Sequence, residues 1–287
     1  MNKDSDNSPM DKNSDNLDDG GFDIENKKAP LTAREEISEF AKTVLIAVFL
    51  ALLIRTFLYE PFNIPSGSMK PTLQIGDYLF VNKPAYGYSR YSFPFGLAPI
   101  EGRVWGEMPE RGDVVVFKLP SNPFIDYIKR VVALPGETVQ TRRGRLYING
   151  ELVPRKNLGL KRVDDQHRGQ VMMHEYIETL PGGVEYHIYE ETDDRPLDNT
   201  EKFVVPEGYV FVMGDNRDNS QDSRNPDAVG FVPFELLVGE ADFIFYSTNG
   251  YASLFEVWKW PWTVRYDRLF QSIGPERDKA AEDQIEE

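Results

Sequence analysis

Hydrophobic and polar positions divide the chain into three regimes. Up to residue 34, Asp, Asn, Ser and Lys dominate without any apolar period, which predicts a disordered, solvated acidic tail over residues 1–34. Residues 44–54 then form an unbroken apolar run, extended by Phe40 and Ala41 before it and by Phe57 and Leu58 beyond Arg55. No polar face recurs at helical spacing, so the run reads as a transmembrane anchor over residues 35–59. Residues 40–58 come close to the roughly 20 that a bilayer core needs if Lys42 and Arg55 snorkel to the two interfaces. The core helix of a soluble domain is the alternative. A cleavable signal sequence would start near the N-terminus and end in small residues, whereas Arg55-Thr56-Phe57-Leu58-Tyr59-Glu60 follows here. Lys27, Lys28, Arg34 and Lys42 lie on the N-terminal side, which favours a cytoplasmic tail and an exported body.

Beyond the anchor the period becomes that of strands. Residues 78–81, 114–117, 128–134, 203–205, 209–213 and 241–246 are short β-branched or aromatic runs bounded by Gly, Pro, Asn or Asp. Asn149-Gly150 between Leu146-Tyr147-Ile148 and Leu152-Val153 predicts a two-residue hairpin turn. No βαβ alternation, repeat or Gly-rich phosphate loop occurs. The predicted fold is therefore mostly β: a single N-terminal transmembrane helix, then an antiparallel β core over 60–139 and 203–270. Residues 140–202, more charged than their surroundings, form an inserted β subdomain, and 271–287 form a charged C-terminal tail.

Composition removes some function classes. A chain of 287 residues with 40% hydrophobic content can bury a substantial core. A net charge of -15 argues against nucleic acid as the main partner, because phosphate binding needs clustered Lys and Arg. Without cysteine there are no disulfides, thiol nucleophiles or Cys-based metal sites, although the compartment stays open.

Candidate chemistry begins with the serine turn Ile64-Pro65-Ser66-Gly67-Ser68-Met69-Lys70-Pro71-Thr72-Leu73, directly after the anchor. A hydrolytic serine needs a base. His167, His174 and His187 lie in one later polar stretch, without carboxylates at metal-ligand spacing, and read as solvated or structural. Lys129, in Tyr127-Ile128-Lys129-Arg130-Val131-Val132-Ala133, is the better candidate, because burial there would disfavour its charged form. A useful base at neutral pH needs its pKa lowered by about 2 to 3 units, or about 3 to 4 kcal/mol. Strand alternation puts Lys129 and Arg130 on opposite faces, both apolar, and does not choose between them. Arg130 cannot act as a base at this pH. Lys70, expected to be exposed and to keep a high pKa, is the second candidate.

A polar cluster from Met213 to Arg224 follows a clean strand. It reads as an ordered turn in which Asp222 and Arg224 brace one another, or as a calcium loop, although Arg217 and Arg224 interrupt the carboxylates and no Glu closes a twelve-residue pattern. Trp258-Lys259-Trp260-Pro261-Trp262, followed by Arg265, is either a second interfacial contact or packing for the β core.

Four ordered blocks carry a resemblance: Pro65-Ser66-Gly67-Ser68-Met69-x-Pro71-Thr72-Leu73, Arg111-Gly112-Asp113-Val114-Val115-Val116-Phe117, Lys129-Arg130-Val131-Val132-Ala133-Leu134-Pro135-Gly136, and Gly214-Asp215-Asn216-x-x-x-Ser220-x-Asp222-Ser223-Arg224. Behind an N-terminal anchor, they resemble the signature blocks of bacterial type I signal peptidases over about residues 60–246. The resemblance implies a membrane-bound serine endopeptidase that removes signal peptides from exported preproteins, cutting after small residues of the Ala-x-Ala type. It implies Ser68 as nucleophile, Lys129 as base, and an oxyanion hole made of the Ser66 hydroxyl and the Ser68 backbone N–H. Ser220 would hold the lysine amine, while Asp222 and Arg224 would brace their loop. Phe62, Ile64, Met69, Leu73, Tyr127 and Ile128 would form shallow apolar substrate pockets. No metal or cofactor is implied. The partners would be signal peptides and the lipid bilayer, with no nucleic acid, and the location the bacterial inner membrane with the catalytic domain on the periplasmic side. The insertion disulfide of some relatives cannot form here. Two rival classes are a self-cleaving SOS repressor, which would carry a DNA-binding domain in place of the anchor, and a non-enzymatic membrane-tethered β module.

Overall fold

Thr32 opens the first element: its backbone N–H and hydroxyl donate to Glu35 at 2.8 and 2.9 Å, and helix α1 runs from Ala33 to Phe57. Glu35 and Glu36 in the first turn and Arg55 in the last complement the helix dipole. Its 25 residues span about 37 Å and make it long and apolar enough to cross a membrane. The computed structural model describes residues 32–93, 96, 98–249, 255–274 and 276–277. Almost all of the acidic tail expected over 1–34, and most of the charged tail expected over 271–287, lie outside these described residues. Among the described residues, those up to Ile46 and those from Ala47 onward fall into two units, and the second carries every strand.

The chain after the helix is antiparallel β. Strands β1 (Tyr59–Asn63) and β2 (Asp77–Asn82) are followed by a two-residue ribbon, β3 (Tyr88–Ser89) with β4 (Arg103–Val104). Next come β5 (Val114–Leu119), β6 (Asn122–Ala133), β7 (Thr138–Arg142), β8 (Arg145–Ile148) and β9 (Glu151–Leu152). The last group is β10 (Arg155–Asp165), β11 (Gly169–Leu180), β12 (Val184–Glu190), β13 (Phe203–Val204), β14 (Tyr209–Met213), β15 (Val232–Pro233), β16 (Leu237–Ser247) and β17 (Glu276–Arg277). The main sheet has the order β1-β2-β16-β5-β6-β14-β15, and two four-stranded sheets have the orders β10-β11-β12-β17 and β13-β7-β8-β9. Asn149 and Gly150 take φ values of 54° and 85° between β8 and β9, the left-handed pair a two-residue hairpin turn requires.

The main sheet is covered on both sides, which decides the fate of β6. One buried cluster joins Ile64, Met69, Leu73, Leu79, Val114 and Ile244, and another joins Val115, Phe117, Val131, Val210 and Leu237. A third runs from Val132, Phe211 and Met213 of the main sheet into Leu146, Ile148, Leu180, Tyr186 and Ile188. Residues 140–202 therefore share a core with β6 and β14 rather than closing one of their own. Residues of β6 reach all three clusters, and Lys129 and Arg130 are both withdrawn from water, at 3% and 1% exposure.

Candidate active site

The serine turn hangs between β1 and β2 and is fastened from within and from across the site. Lys70 N–H donates to Gly67 C=O at 3.2 Å and Leu73 N–H to Met69 C=O at 2.9 Å, closing the turn. The loop after β14 holds its far side: Asn216 donates its backbone N–H to Ser68 C=O at 3.0 Å and its side-chain amide to Gly67 C=O at 2.9 Å. Among the described residues the Ser68 N–H makes no backbone hydrogen bond, and the Ser66 side chain is exposed.

Lys129 enters from β6, opposite Val115 of β5. Its Nζ lies 2.9 Å from Ser68 Oγ and donates to the Ile128 carbonyl at 2.7 Å, with the Tyr127 ring 5.2 Å away. Burial pushes the amine from its ordinary value down to about 8, against the opposing pull of the Asp222 and Asp215 carboxylates. Lys70 is half-buried rather than exposed. Burial lowers its amine too, opposed by Asp164 and Asp165, and it donates to the Asp164 carbonyl instead of meeting Ser68.

Asp222 and Arg224 pair through Nε to Oδ1 and Nη2 to Oδ2, both at 2.9 Å, and Asp222 also accepts the Gly214 N–H at 3.0 Å. Burial works against the Asp222 carboxylate, yet Arg224 beside it holds it below its ordinary range. The other carboxylates of this loop are engaged as well. Asp215 takes a bidentate pair from Arg130 at 2.9 and 2.7 Å, and Asp218 accepts the N–H groups of Glu191 and Thr192 at 2.7 and 3.0 Å. A calcium reading of the loop thus finds its ligands committed to arginines and amides.

The hydrogen bond expected from Ser220 to the lysine amine is not made. The amine's two hydrogen-bond contacts are with Ser68 Oγ and the Ile128 carbonyl. Ser220 Oγ is buried without a hydrogen bond of regular geometry and lies against Gly214. A Cβ on Gly214 would collide with Ser220 Oγ and stand 2.6 Å from the Ser68 carbonyl oxygen. Gly214→Ala should therefore shift both hydroxyl-bearing loops, lowering kcat about 100-fold with a smaller change in KM; steady-state kinetics on a peptide substrate check this.

A cleft of about 540 Å³ opens beside the pair. Of the expected substrate residues, Phe62, Ile64, Tyr127 and Ile128 line it together with Ser66, Ser68 and Lys129. Met69 and Leu73 do not: both are wholly buried in the cluster under the serine turn, where they hold the turn down. Val116, Ile125, Asn219 and Gln221 also line the cleft and had no signal in the sequence apart from their nearness to the motifs.

The aromatic segment divides its roles. Trp260 packs on Tyr246 with ring centroids 5.2 Å apart, whereas Trp258 and Trp262 are exposed at 65% and 79%. Arg265 is not available to an interface: it donates to Ser247 Oγ, Gln74, the Ile75 carbonyl and Asp77. Of the histidines, His187 Nδ1 sits 2.8 Å from Glu175, which Lys161 also pairs at 3.0 Å.

A buried amine touching a serine hydroxyl at the head of an apolar cleft, on an antiparallel β scaffold, is an arrangement suited to a hydrolase that uses serine as its nucleophile. Residues 37–246 match the family described as signal peptidase, peptidase S26. The chain is 39% identical over 268 residues to signal peptidase I of Rickettsia typhi, covering 87% of this chain and 97% of the relative. It is 40% identical over 261 residues to signal peptidase I of Rickettsia canadensis, covering 84% and 94%. A crystal structure of a signal peptidase I from Enterococcus faecalis aligns at 29% identity and a TM-score of 0.28, covering 47% of this chain and 97% of that one. The chain belongs to the signal peptidase family, peptidase S26: it is a serine endopeptidase of signal peptide processing.

Proposed function

We propose that the chain removes signal peptides through an acyl-enzyme formed on Ser68 with Lys129 as general base, and that it cuts after small residues of the Ala-x-Ala type. The observation that carries this is the 2.9 Å contact between Lys129 Nζ and Ser68 Oγ at the head of the cleft. A neutral amine has two N–H donors and one lone pair. The Ile128 carbonyl takes one donor at 2.7 Å and so orients the lone pair for the serine proton. As Ser68 Oγ attacks the scissile carbonyl, the proton passes to Nζ. The Ser68 backbone N–H and the Ser66 hydroxyl stabilise the developing oxyanion. The ammonium then protonates the leaving amine, and water deacylates the enzyme by the same route without metal or cofactor. Ser220, buried next to the site, positions the loop through which Asp222 and Arg224 act. Phe62, Ile64, Tyr127 and Ile128 leave room for small apolar side chains before the cut, with Met69 and Leu73 supporting them from beneath.

The long apolar helix α1 supports a site held at a bilayer. The greater number of basic residues on the N-terminal side of the apolar run favours an N-terminus in the cytoplasm and a β body, with residues 140–202 as its insertion, on the exported side of the bacterial inner membrane. The partners are then exported preproteins and the bilayer itself.

Cleavage of a purified preprotein bearing an Ala-x-Ala site, by the full chain in detergent, tests the reaction. The product should begin after the second Ala, and Ser68→Ala should abolish its formation. Unchanged cleavage by Ser68→Ala would sink the site assignment, and no cleavage by a folded parent would favour a tethered binding module.

A further inference from the structure

A second cavity, of about 190 Å³, shares Ser66, Ser68 and Asn219 with the substrate cleft but continues to the other wall of the serine turn. That wall is the tip of the β10–β11 hairpin, which the mechanism does not use. We propose that this cavity is a leaving-side subsite, receiving an aliphatic side chain from one of the first two residues after the cut. The subsite depends on the Ser68–Lys129 assignment above.

A peptide acylating Ser68 diverges from Oγ in two directions. Its acyl portion occupies the apolar cleft beside Lys129, so the leaving segment departs from the Ser66–Ser68 corner into the second cavity. That cavity is already formed. Gln166 Nε2 donates to the Pro65 carbonyl at 3.0 Å, and Lys70 Nζ donates to the Asp164 carbonyl, so the hairpin tip is tied to the serine turn at two points.

The lining selects the chemistry. Ile75 on one side and Val163, Val171 and Met173 on the hairpin give aliphatic and thioether walls. Two of the charged groups at the rim are engaged within the protein. Lys70 is held by the Asp164 carbonyl, and Asp165 accepts the N–H groups of His167 and Arg168 at 3.0 Å, with the Arg168 guanidinium at 3.3 Å. A Leu-sized side chain would remove this aliphatic wall from water.

The test uses the full chain in detergent and peptides with a fixed Ala-x-Ala before the cut. Leu and Ala are compared at the first, and separately at the second, position after it. At one of these positions kcat/KM should favour Leu by about ten-fold, the discrimination a small apolar pocket affords. Val171→Phe, and from the facing wall Ile75→Phe, should each bring that ratio to about one by filling the cavity. In a separate peptide pair, the ratio of Ala to Val three residues before the cut should stay at the parent's value. An equal rate for Leu and Ala at both positions in the parent, or a Leu preference kept in both filled variants, overturns the subsite. Failure of the underlying assignment has a different signature, since it appears as cleavage that survives Ser68→Ala.

Discussion

Lys129→Met should lower kcat about 10²- to 10⁴-fold, the usual worth of a positioned general base, while the parent's rate rises with pH and reaches half its maximum near 8. The direction follows from which form works. In the proposed dyad only a neutral amine can accept the Ser68 proton, and burial moves its titration down to about 8. The same shift has a stability counterpart of fixed sign. Below about pH 8 both folded and unfolded chains carry the proton, and the folded chain bears the full cost of a buried ammonium, about 3 kcal/mol. The cost is relieved as pH rises from about 8 towards the ordinary value of 10.5. Lys129→Met removes it altogether. The variant should thus melt at a higher temperature than the parent at pH 7, with the gap shrinking by pH 10. Thermal unfolding across that range and a pH profile of kcat check the two halves independently. A parent rate that is flat from pH 6 to 10 would remove Lys129 as the base. A variant that is both inactive and less stable at pH 7 would mean that the lysine is a packing element.

Most of this site was legible because its chemistry sits in compact blocks. The serine turn, Lys129 and the Asp222–Arg224 pair each lie where a short run of residues specifies them, and strand β14 has the very bounds its apolar run set, Tyr209–Met213. What the sequence could not decide was depth. Lys129 and Arg130 both read as apolar-flanked because β6 is covered on both faces, and it took the register against β5 to bring Nζ to Ser68. Met69 and Leu73 read as pocket residues for the same reason: an apolar residue beside a nucleophile either lines the cleft or supports the turn, and these two support it. The long arms of β10 and β11 gave little strand signal, since much of β10 faces water and is strongly charged from Arg155 to Asp165. Strand β6 begins at Asn122, well before its apolar run at Ile128, and Asn122, Phe124, Ile125 and Asp126 in that first part face water. The role of Asn216 in holding the Gly67 and Ser68 carbonyls depends on two loops separated by over a hundred residues, which no local pattern reports.

Arg217→Met should be among the most destabilising single changes in the chain, at about 3 to 5 kcal/mol, and its effect should be largely reversed by Glu178→Met in the same molecule. Arg217 and Glu178 are both almost wholly buried, at 2% and 0% exposure. The guanidinium pairs with both carboxylate oxygens and donates to Tyr186 Oη at 3.0 Å, while Tyr186 in turn donates to Glu178 at 2.5 Å. Above the same ring lies Arg130, 4.4 Å from its centroid, which carries Asp215. These groups join β11 and β12 to the loop bearing Asn216, and so to the carbonyls of the serine turn. Removing Arg217 alone leaves a buried carboxylate without its counter-charge, with only a tyrosine hydroxyl for company. Removing both charges leaves a buried apolar pair of similar volume, which the adjoining cluster of Leu180, Tyr186 and Ile188 can accommodate. In a domain of this size the single variant should melt about 10 °C below the parent, and the double variant should recover more than half of that loss. Activity separates a further role from stability. If the network only holds the fold, the double variant cleaves like the parent below its melting point. If it also sets the serine turn through Asn216, kcat stays low in the double variant although the fold is restored, with KM little changed. A double variant no more stable than Arg217→Met would mean that the ion pair contributes packing rather than charge compensation.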